Sequence, residues 1–416
     1  MNARVRTTWR VAPWLALTAL LVAPPLVSAW LSPVGVPQGW LLAGLAQAAT
    51  MIVFALSYNL LLGETGLLSF GHAAPAGLGA LAAAQVFNHA ALPLPLLPLA
   101  GGAAGAAVGV LTALIASRRA GTAFAMITLG IGELVAAAAW ALPDWFGGEA
   151  GVAIDRASGP AIAGWTFGPQ REAYCLIALW CLVASIAIHA VSRMPYARLA
   201  NAVRDNPVRA AALGASPARV RAMMIVLGSA FAGVAGTLAL INVELAAAES
   251  VGMTRSAGVL IATVTGGTAS FFGPVLGALV WVGFSVGVAS VSRAWMLYVG
   301  LFFIAVVLAA PGGLAGLAAS QRAALTRHGW RRCRAYWTTA ALATACGTLA
   351  LVLAVQWAYA LRFGDDDASA WLVALSPRAS GALAAAVVVL LLVAAGLARH
   401  ARRAAGALHD AGKARP

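Results

Sequence analysis

Charge is what this chain has least of. Asp, Glu, Lys and Arg make up 10% of its 416 residues, against roughly 25% in soluble domains. So few charges cannot coat a water-facing surface, which excludes a soluble globular protein. With 62% hydrophobic residues and a mean hydropathy of +0.87, the chain reads as an all-α, polytopic transmembrane helix bundle. Lysine is nearly absent: Lys413 stands alone among 27 basic residues, a skew that follows genomic composition along with the alanine excess. There is no GxxxxGK[ST] loop, so ATP cannot be bound in the usual phosphate cradle. Cysteine is scarce too. Cys175 and Cys181 share one predicted span, where six residues of helix keep them from bridging. With Cys333 and Cys346 they form no CxxC or Cys/His metal spacing and read as small apolar filler. The histidines at 72, 89, 189, 328, 400 and 409 show no HExxH pattern. No catalytic residue, metal site or cofactor is expected, and the chain is not read as an enzyme.

A bilayer core takes roughly 20 apolar residues as helix. Runs of that kind predict spans near 12–31, 41–62, 67–87, 94–116, 121–142, 172–191, 222–242, 256–270, 274–290, 295–310, 336–360 and 380–398. The piece 256–270 is short, and it either spans or is re-entrant. The N-terminus, with Arg4, Arg6 and Arg10 before an apolar run, resembles a signal peptide cleavable near Val27 to Ala29. A signal anchor is the preferred reading, because further spans follow at once. The net charge of +14 does not point to nucleic acid, since the arginines sit in short loops between spans. Placing both termini in the cytoplasm puts Arg118, Arg119, the run Arg193 to Arg221, the cluster Arg322 to Arg334, and Arg399, Arg402 and Arg403 inside. Asp144, Glu149, Asp155, Glu244, Glu249 and Asp365 to Asp367 then fall outside.

The basic segment 193–221 is shaped more than tethering requires. A short helix from Tyr196 to Arg204 would place Leu199 and Val203 on one face. Asn206 then suits an N-cap and Pro207 the first helical position. That stub would run to Leu213, and Gly214 would stop it in the left-handed conformation. Ser216-Pro217 repeats the signal for the next span. Such a capped rod reads as a docking surface for a soluble partner. The bland alternative is an amphipathic connector held at lipid headgroups.

Polar residues inside spans usually face the bundle interior. Glu133 is such a residue; it either lines a pathway or is a structural carboxyl. Asn59, Glu64, Thr65, Ser69 and His72 cluster at a turn that Gly63 and Gly66 allow to be tight. They read as a gate near the cytoplasmic mouth, or as a polar turn with His72 bonded inside the bundle. His189, near Arg193, reads as snorkelling to the interface. Gly101, Gly105 and Gly109, Gly273 and Gly277, and Gly283 and Gly287 have the spacing of close helix contacts.

Taken together these stretches carry a resemblance. RDNPVRAAALGAS resembles the cytoplasmic coupling loop of ABC-importer permeases, most of all the LivM-type subunit of the branched-chain amino acid permease family. SYNLLLGETGLLSFGHAAPAGLGA (57–80), FAMITLGIGELV (124–135), GGEAGV (147–152) and TGGTASFFGPVLGALV (265–280) are similar to that family in order, over roughly residues 40–318. The resemblance implies a permease domain over 1–319, coupled to ATPases through Arg204, Asp205, Asn206, Pro207, Arg209 and Gly214. It adds Gly266 and Gly267 to the pathway candidates. Its external Gly-Gly loop makes Trp145, Gly147, Gly148 and Glu149 the candidates for receptor docking. It implies two cytoplasmic ATP-binding subunits, a second homologous permease in a heterodimer, and a periplasmic or lipid-anchored substrate-binding protein. Membrane lipid is the remaining partner and nucleic acid is not one. The location implied is a bacterial inner membrane. The cargo implied is branched-chain or related small amino acids or amides. Two departures stand out: Pro207 where an acid often follows RDN, and Arg209 where small residues are usual. The family pattern ends near PGGLAGL (311–317), leaving 320–416 as an extension with two apolar spans and basic ends. The alternatives are a secondary transporter or channel for a small polar solute, a membrane-embedded enzyme, or a scaffold; none accounts for the capped loop.

Overall fold

The structure is a computed structural model describing residues 12–25, 38–90, 92–148, 150–160, 164–363 and most of 387–399. Arg4, Arg6, Arg10, Val27 to Ala29, Glu149, Asp365 to Asp367, Arg402 and Arg403 lie outside the described residues. Packing divides the chain into two units, 1–283 with 303–315 and 284–302 with 316–416.

Within the first unit, α1 (Ala12–Pro25) precedes α2 (Gln38–Asn59), which ends in a π-helical turn, Leu60–Glu64. Then follow α3 (Ala73–Ala90), α4 (Leu97–Ala116), α5 (Thr122–Ala141) and the single turn α6 (Pro143–Phe146). β1 (Val152–Ala153) leads to α7 (Gln170–Arg193), α8 (Pro195–Asp205), α9 (Pro207–Ala212) and α10 (Pro217–Val243). β2 (Leu245–Ala246) precedes α11 (Met253–Gly266) and α12 (Gly273–Val282). Six helices among the described residues are long and apolar enough to cross a bilayer, including α2, α4, α5, α7 and α10.

The C-terminal half of α2 is buried on all sides, while Trp40 and Gln47 nearer its start are exposed. Ile52, Val53, Ala55, Leu56 and Tyr58 are all at or near zero exposure, the signature of a helix surrounded by others. α4 runs antiparallel to α10 on glycine contacts. Gly101 lies against Thr237, Gly105 against Ser229 and Gly233, and Gly109 against Ser229 and Val226. α3 joins them where a Cβ on Gly79 would sit 2.6 Å from Gly233 Cα. In lipid, where apolar burial drives little, such close approach is what holds helices together. Gly266, Gly273 and Gly277 do the same between α11 and α12, whereas Gly283 and Gly287 meet nothing within 4 Å.

The third predicted span is interrupted. Residues Gly66 to Gly71 are not helical, and α3 begins only at Ala73. The apolar run Leu67-Leu68 reads as helix in sequence, but the side chain of Thr128 accepts from Phe70 N (3.2 Å) and that of Ser256 from Ala73 N (2.9 Å). Non-helical backbone inside a bundle needs such partners. α11 has 14 residues and α12 has 10, both below the roughly 20 of a full crossing.

The two ends of this bundle differ. At one end β1 pairs antiparallel with β2 (Val152 opposite Ala246), and buried Arg156 pairs with Glu244. The other end carries α8 and α9. α13 (Trp295–Ala309) and α14 (Gly313–His328) are each divided between the two units, and α15 (Trp330–Phe363) lies in the second. Gln356 of α15 donates to Ser292 Oγ (2.8 Å) and Tyr298 OH (3.1 Å). Tyr336–Ala358 is the sixth long apolar helix, with 6% of its apolar window buried.

Candidate functional site

The basic segment folds as a helix, a sharp corner and a stub. Asn206 takes an extended conformation (φ −155°, ψ 96°), and its Oδ1 accepts from Arg209 N at 2.9 Å, capping α9 as its position before Pro207 predicts. Gly214 has φ +90° with open space around it, so glycine serves there for its backbone and not for its size. Val208 is 79% and Leu213 83% exposed, two apolar tips on a rod whose one buried residue is Ala210. Two details of the expected shape are corrected. The buried face of α8 is Ala197, Ala200 and Val203, while Leu199 is exposed: small residues let the helix lie close against the bundle, and leucine is too large for that face. Ser216 makes no side-chain cap, leaving Pro217 to start α10 alone.

Besides its packed face, α8 is tied to the bundle by hydrogen bonds at the end of α2. Arg204 donates to the carbonyl of Gly63 and lies over Gly66, where a Cβ would come 2.8 Å from its Cγ. Beside it Asn201 Nδ2 donates to Glu64 Oε2 at 2.7 Å. Arg204 also meets Asp205 at 3.3 Å, both side chains exposed. Of the coupling candidates, Arg204 therefore meets the π-helical end of α2 beside Glu64, with Asp205 paired to it, while Asn206, Pro207, Arg209 and Gly214 belong to the α9 rod that follows. Gly66, at φ +68°, makes the turn that follows.

From that turn the chain enters a buried polar core. His72 Nε2 lies 3.0 Å from Ser57 Oγ, its ring stacked on Phe54 and edge-on to Tyr58, whose hydroxyl donates to Ser69 O at 2.9 Å. Thr65 donates to Leu61 O. Asn59, Thr65, Ser69 and His72 are all buried, and Asn59 Oδ1 has no partner among the described residues. The ring of His72 is thus hydrogen-bonded inside the bundle.

Other candidates lie apart. Glu133 is exposed on α5, and its neighbour Gly132 packs on Gly71. Gly266 and Gly267 close the α11–α12 corner against Gly273 and Gly312. Trp145 is 73% exposed, and its carbonyl accepts from Gln85. Gly147 (φ +73°) and Gly148 (φ +57°) form the turn beside it. His189 does not snorkel; its ring sits edge-on to Trp14 and Phe271, at 5.2 and 4.6 Å between centroids, because the aromatic cluster offers more contact than the interface.

Sequence reasoning missed Arg255. It lies in the first turn of α11 and lines a cavity of about 320 Å³ with Gln47, Thr50, Phe54, Asn242 and Trp281. The signal was available: Arg255 stands between Glu249 and an apolar run, away from every basic cluster.

A family described as the branched-chain amino acid transport system / permease component matches residues 40–310. The LivM permease protein of the high-affinity branched-chain amino acid transport system of Salmonella typhimurium is 29% identical over 65% of this chain and 70% of the relative. Its Escherichia coli counterpart is 29% identical over 63% and 67%. No solved structure matches significantly.

Proposed function

We propose that this chain, which belongs to the branched-chain amino acid transport system permease family, is the membrane subunit of an ABC importer for branched-chain or related small amino acids. It is a multi-pass membrane transport subunit and not an enzyme. ATP is hydrolysed on partner chains, in keeping with the missing phosphate loop. The partners in this reading are two cytoplasmic ATPase subunits, a second homologous permease and a substrate-binding protein on the opposite face. The chain enters the inner membrane with about ten apolar segments in the permease domain, 1–319, of which α11 and α12 are shorter than a full crossing, and two in the extension, 320–416. Both termini are cytoplasmic. The receptor docks where Trp145, Gly147 and Gly148 lie.

The observation that carries the reading is the α9 rod, capped by Asn206, stopped by Gly214 and presenting Val208 and Leu213 to the exterior. A capped rod with apolar tips fits a groove on a soluble partner and transmits force without bending. Its motion passes through α8 to Arg204 and Asn201, then to Gly63 and Glu64, and so to the extended stretch that leads to His72 and α3. Asn59, Glu64, Thr65, Ser69 and His72 are thus the part of the gate closest to the lever. Gly266 and Gly267, on the pathway side in this reading, form the corner of the α11–α12 hairpin.

The test is a reconstituted complex carrying Gly214→Val. A β-branched residue at φ +90° is strained by about 1–2 kcal/mol, so the rod loses its end while the bundle still inserts. Uptake is expected to fall while ATP hydrolysis continues; unchanged uptake overturns the proposal.

A further inference from the structure

We propose that the cavity beside Arg255 receives the carboxylate of the transported solute, a deepening of the proposed function that rests on it. Among the described residues the Arg255 guanidinium has no carboxylate within 4 Å and no hydrogen-bond acceptor; its one contact is the Phe54 ring, 5.8 Å from the centroid. Arg156, in the same unit, contrasts with it, being paired with Glu244 and bonded to Gln170 and the Ile241 carbonyl. Arg255 is half-buried, and a guanidinium drawn partly out of water is costly unless something of opposite charge meets it. Among the described residues nothing does, so the counter-charge comes from a ligand.

The cavity fits that ligand in size and in kind. Its volume of about 320 Å³ is at the lower end of small-molecule pockets, roughly 300–1,000 Å³. The planar guanidinium presents two parallel N–H groups to a carboxylate. It lies in the first turn of the 14-residue α11, where the free N–H groups add to the positive potential. Around it the wall is apolar: Met51, Phe54, Val243, Trp281 and Val282. Gly258 makes room for the indole, since a Cβ there would lie 2.7 Å from Trp281. The Asn242 amide is already used at both ends, by Gln170 and the Ala43 carbonyl. The Gln47 amide has no partner among the described residues, and Thr50, which donates to the Gln47 carbonyl, keeps its oxygen lone pairs. Those oxygens suit an ammonium. One charged end, one polar acceptor end and an aliphatic wall describe a small apolar amino acid.

A lipid headgroup phosphate offers the same oxyanion chemistry, and the experiment separates the two. The full transporter is reconstituted with its ATPases and receptor, and Gln47→Cys is introduced after the 4 native cysteines are replaced by alanine. An anionic methanethiosulfonate is expected to label Cys at 47 about tenfold faster than a cationic one, and Arg255→Gln to erase that preference. Leucine protects the thiol and leucinamide does not. In parallel, Arg255→Gln lowers leucine uptake about tenfold, while receptor-stimulated ATP hydrolysis persists and Arg255→Lys lies between. A charge preference untouched by Arg255→Gln, uptake unchanged in that variant, or protection given by phosphatidylglycerol and not by leucine overturns the proposal. A wild-type complex that imports no aliphatic amino acid overturns the proposed function instead, and the labelling preference then decides the site with other carboxylates as protectants.

Discussion

Asn206 and Gly214 are small parts with separate tasks, one closing the start of α9 with a side-chain oxygen and the other its end with a left-handed backbone. Asn206→Ala is expected to cost about 1 kcal/mol of local helix stability, measurable as faster amide exchange confined to residues 207–212 with the bundle unchanged. Gly214→Ala should be milder than Gly214→Val, because open space surrounds the position and only the backbone objects. Both roles were legible from Asn-Pro and Gly in sequence, since capping depends on neighbours a few residues away. Ser216 was misread by the same rule: Pro217 starts α10 with or without a cap bond. Leu199 and His189 were misread because exposure depends on what lies opposite. Arg255 was overlooked although it stands apart from every basic cluster in the sequence; what marks it, a cavity and no carboxylate partner among the described residues, is not a local pattern.

Between elements, two contacts set the behaviour. The first is the glycine seam joining α3, α4 and α10. Gly105→Leu would drive a side chain into Ser229 and Gly233, and overpacking of this kind costs roughly 1–3 kcal/mol or more. The expected result is loss of assembled complex on size-exclusion chromatography, while Gly283→Leu, in open space, assembles normally. The second is the tie between α8 and the π-helical turn. Arg204→Gln and Asn201→Ala remove its two bonds. Each is expected to reduce uptake several-fold while leaving ATP hydrolysis, and the double variant should be little worse than the stronger single one, as residues acting as one unit are non-additive. Additive losses with equal losses of hydrolysis would mean that the tie only supports the fold. The interruption before α3 was hidden in sequence by Leu67 and Leu68, which are apolar whether helical or extended. The partners that permit it, Thr128 and Ser256, lie far along the chain.

For the whole molecule, the arginine clusters and the acids divide the chain, and the structure brings the two acidic loops together as the β1–β2 ribbon. Cysteines placed at Val208 and at Trp145 should therefore label from opposite sides of sealed vesicles; labelling from one side would end the orientation proposed above. The extension beyond Ser320 includes α15, whose apolar window is 6% buried, and the family match ends at residue 310. Removing residues after Ser320 is expected to retain most uptake, read in the same vesicles, with the loss confined to contacts such as Gln356 with Ser292 and Tyr298.

Composition and short-range pattern by themselves determined that this protein lives in lipid, where its helices run, and that a capped rod interrupts them. Those properties depend on local chemistry: apolar length against bilayer thickness, and caps against free backbone groups. The tertiary structure alone decided which glycines form the seam, that α3 starts late, that Glu133 is exposed and that Arg255 lines a cavity with no carboxylate partner among the described residues. Each of these depends on groups distant in the chain meeting in space, and burial or partnership is a property of the pair, which no single stretch contains.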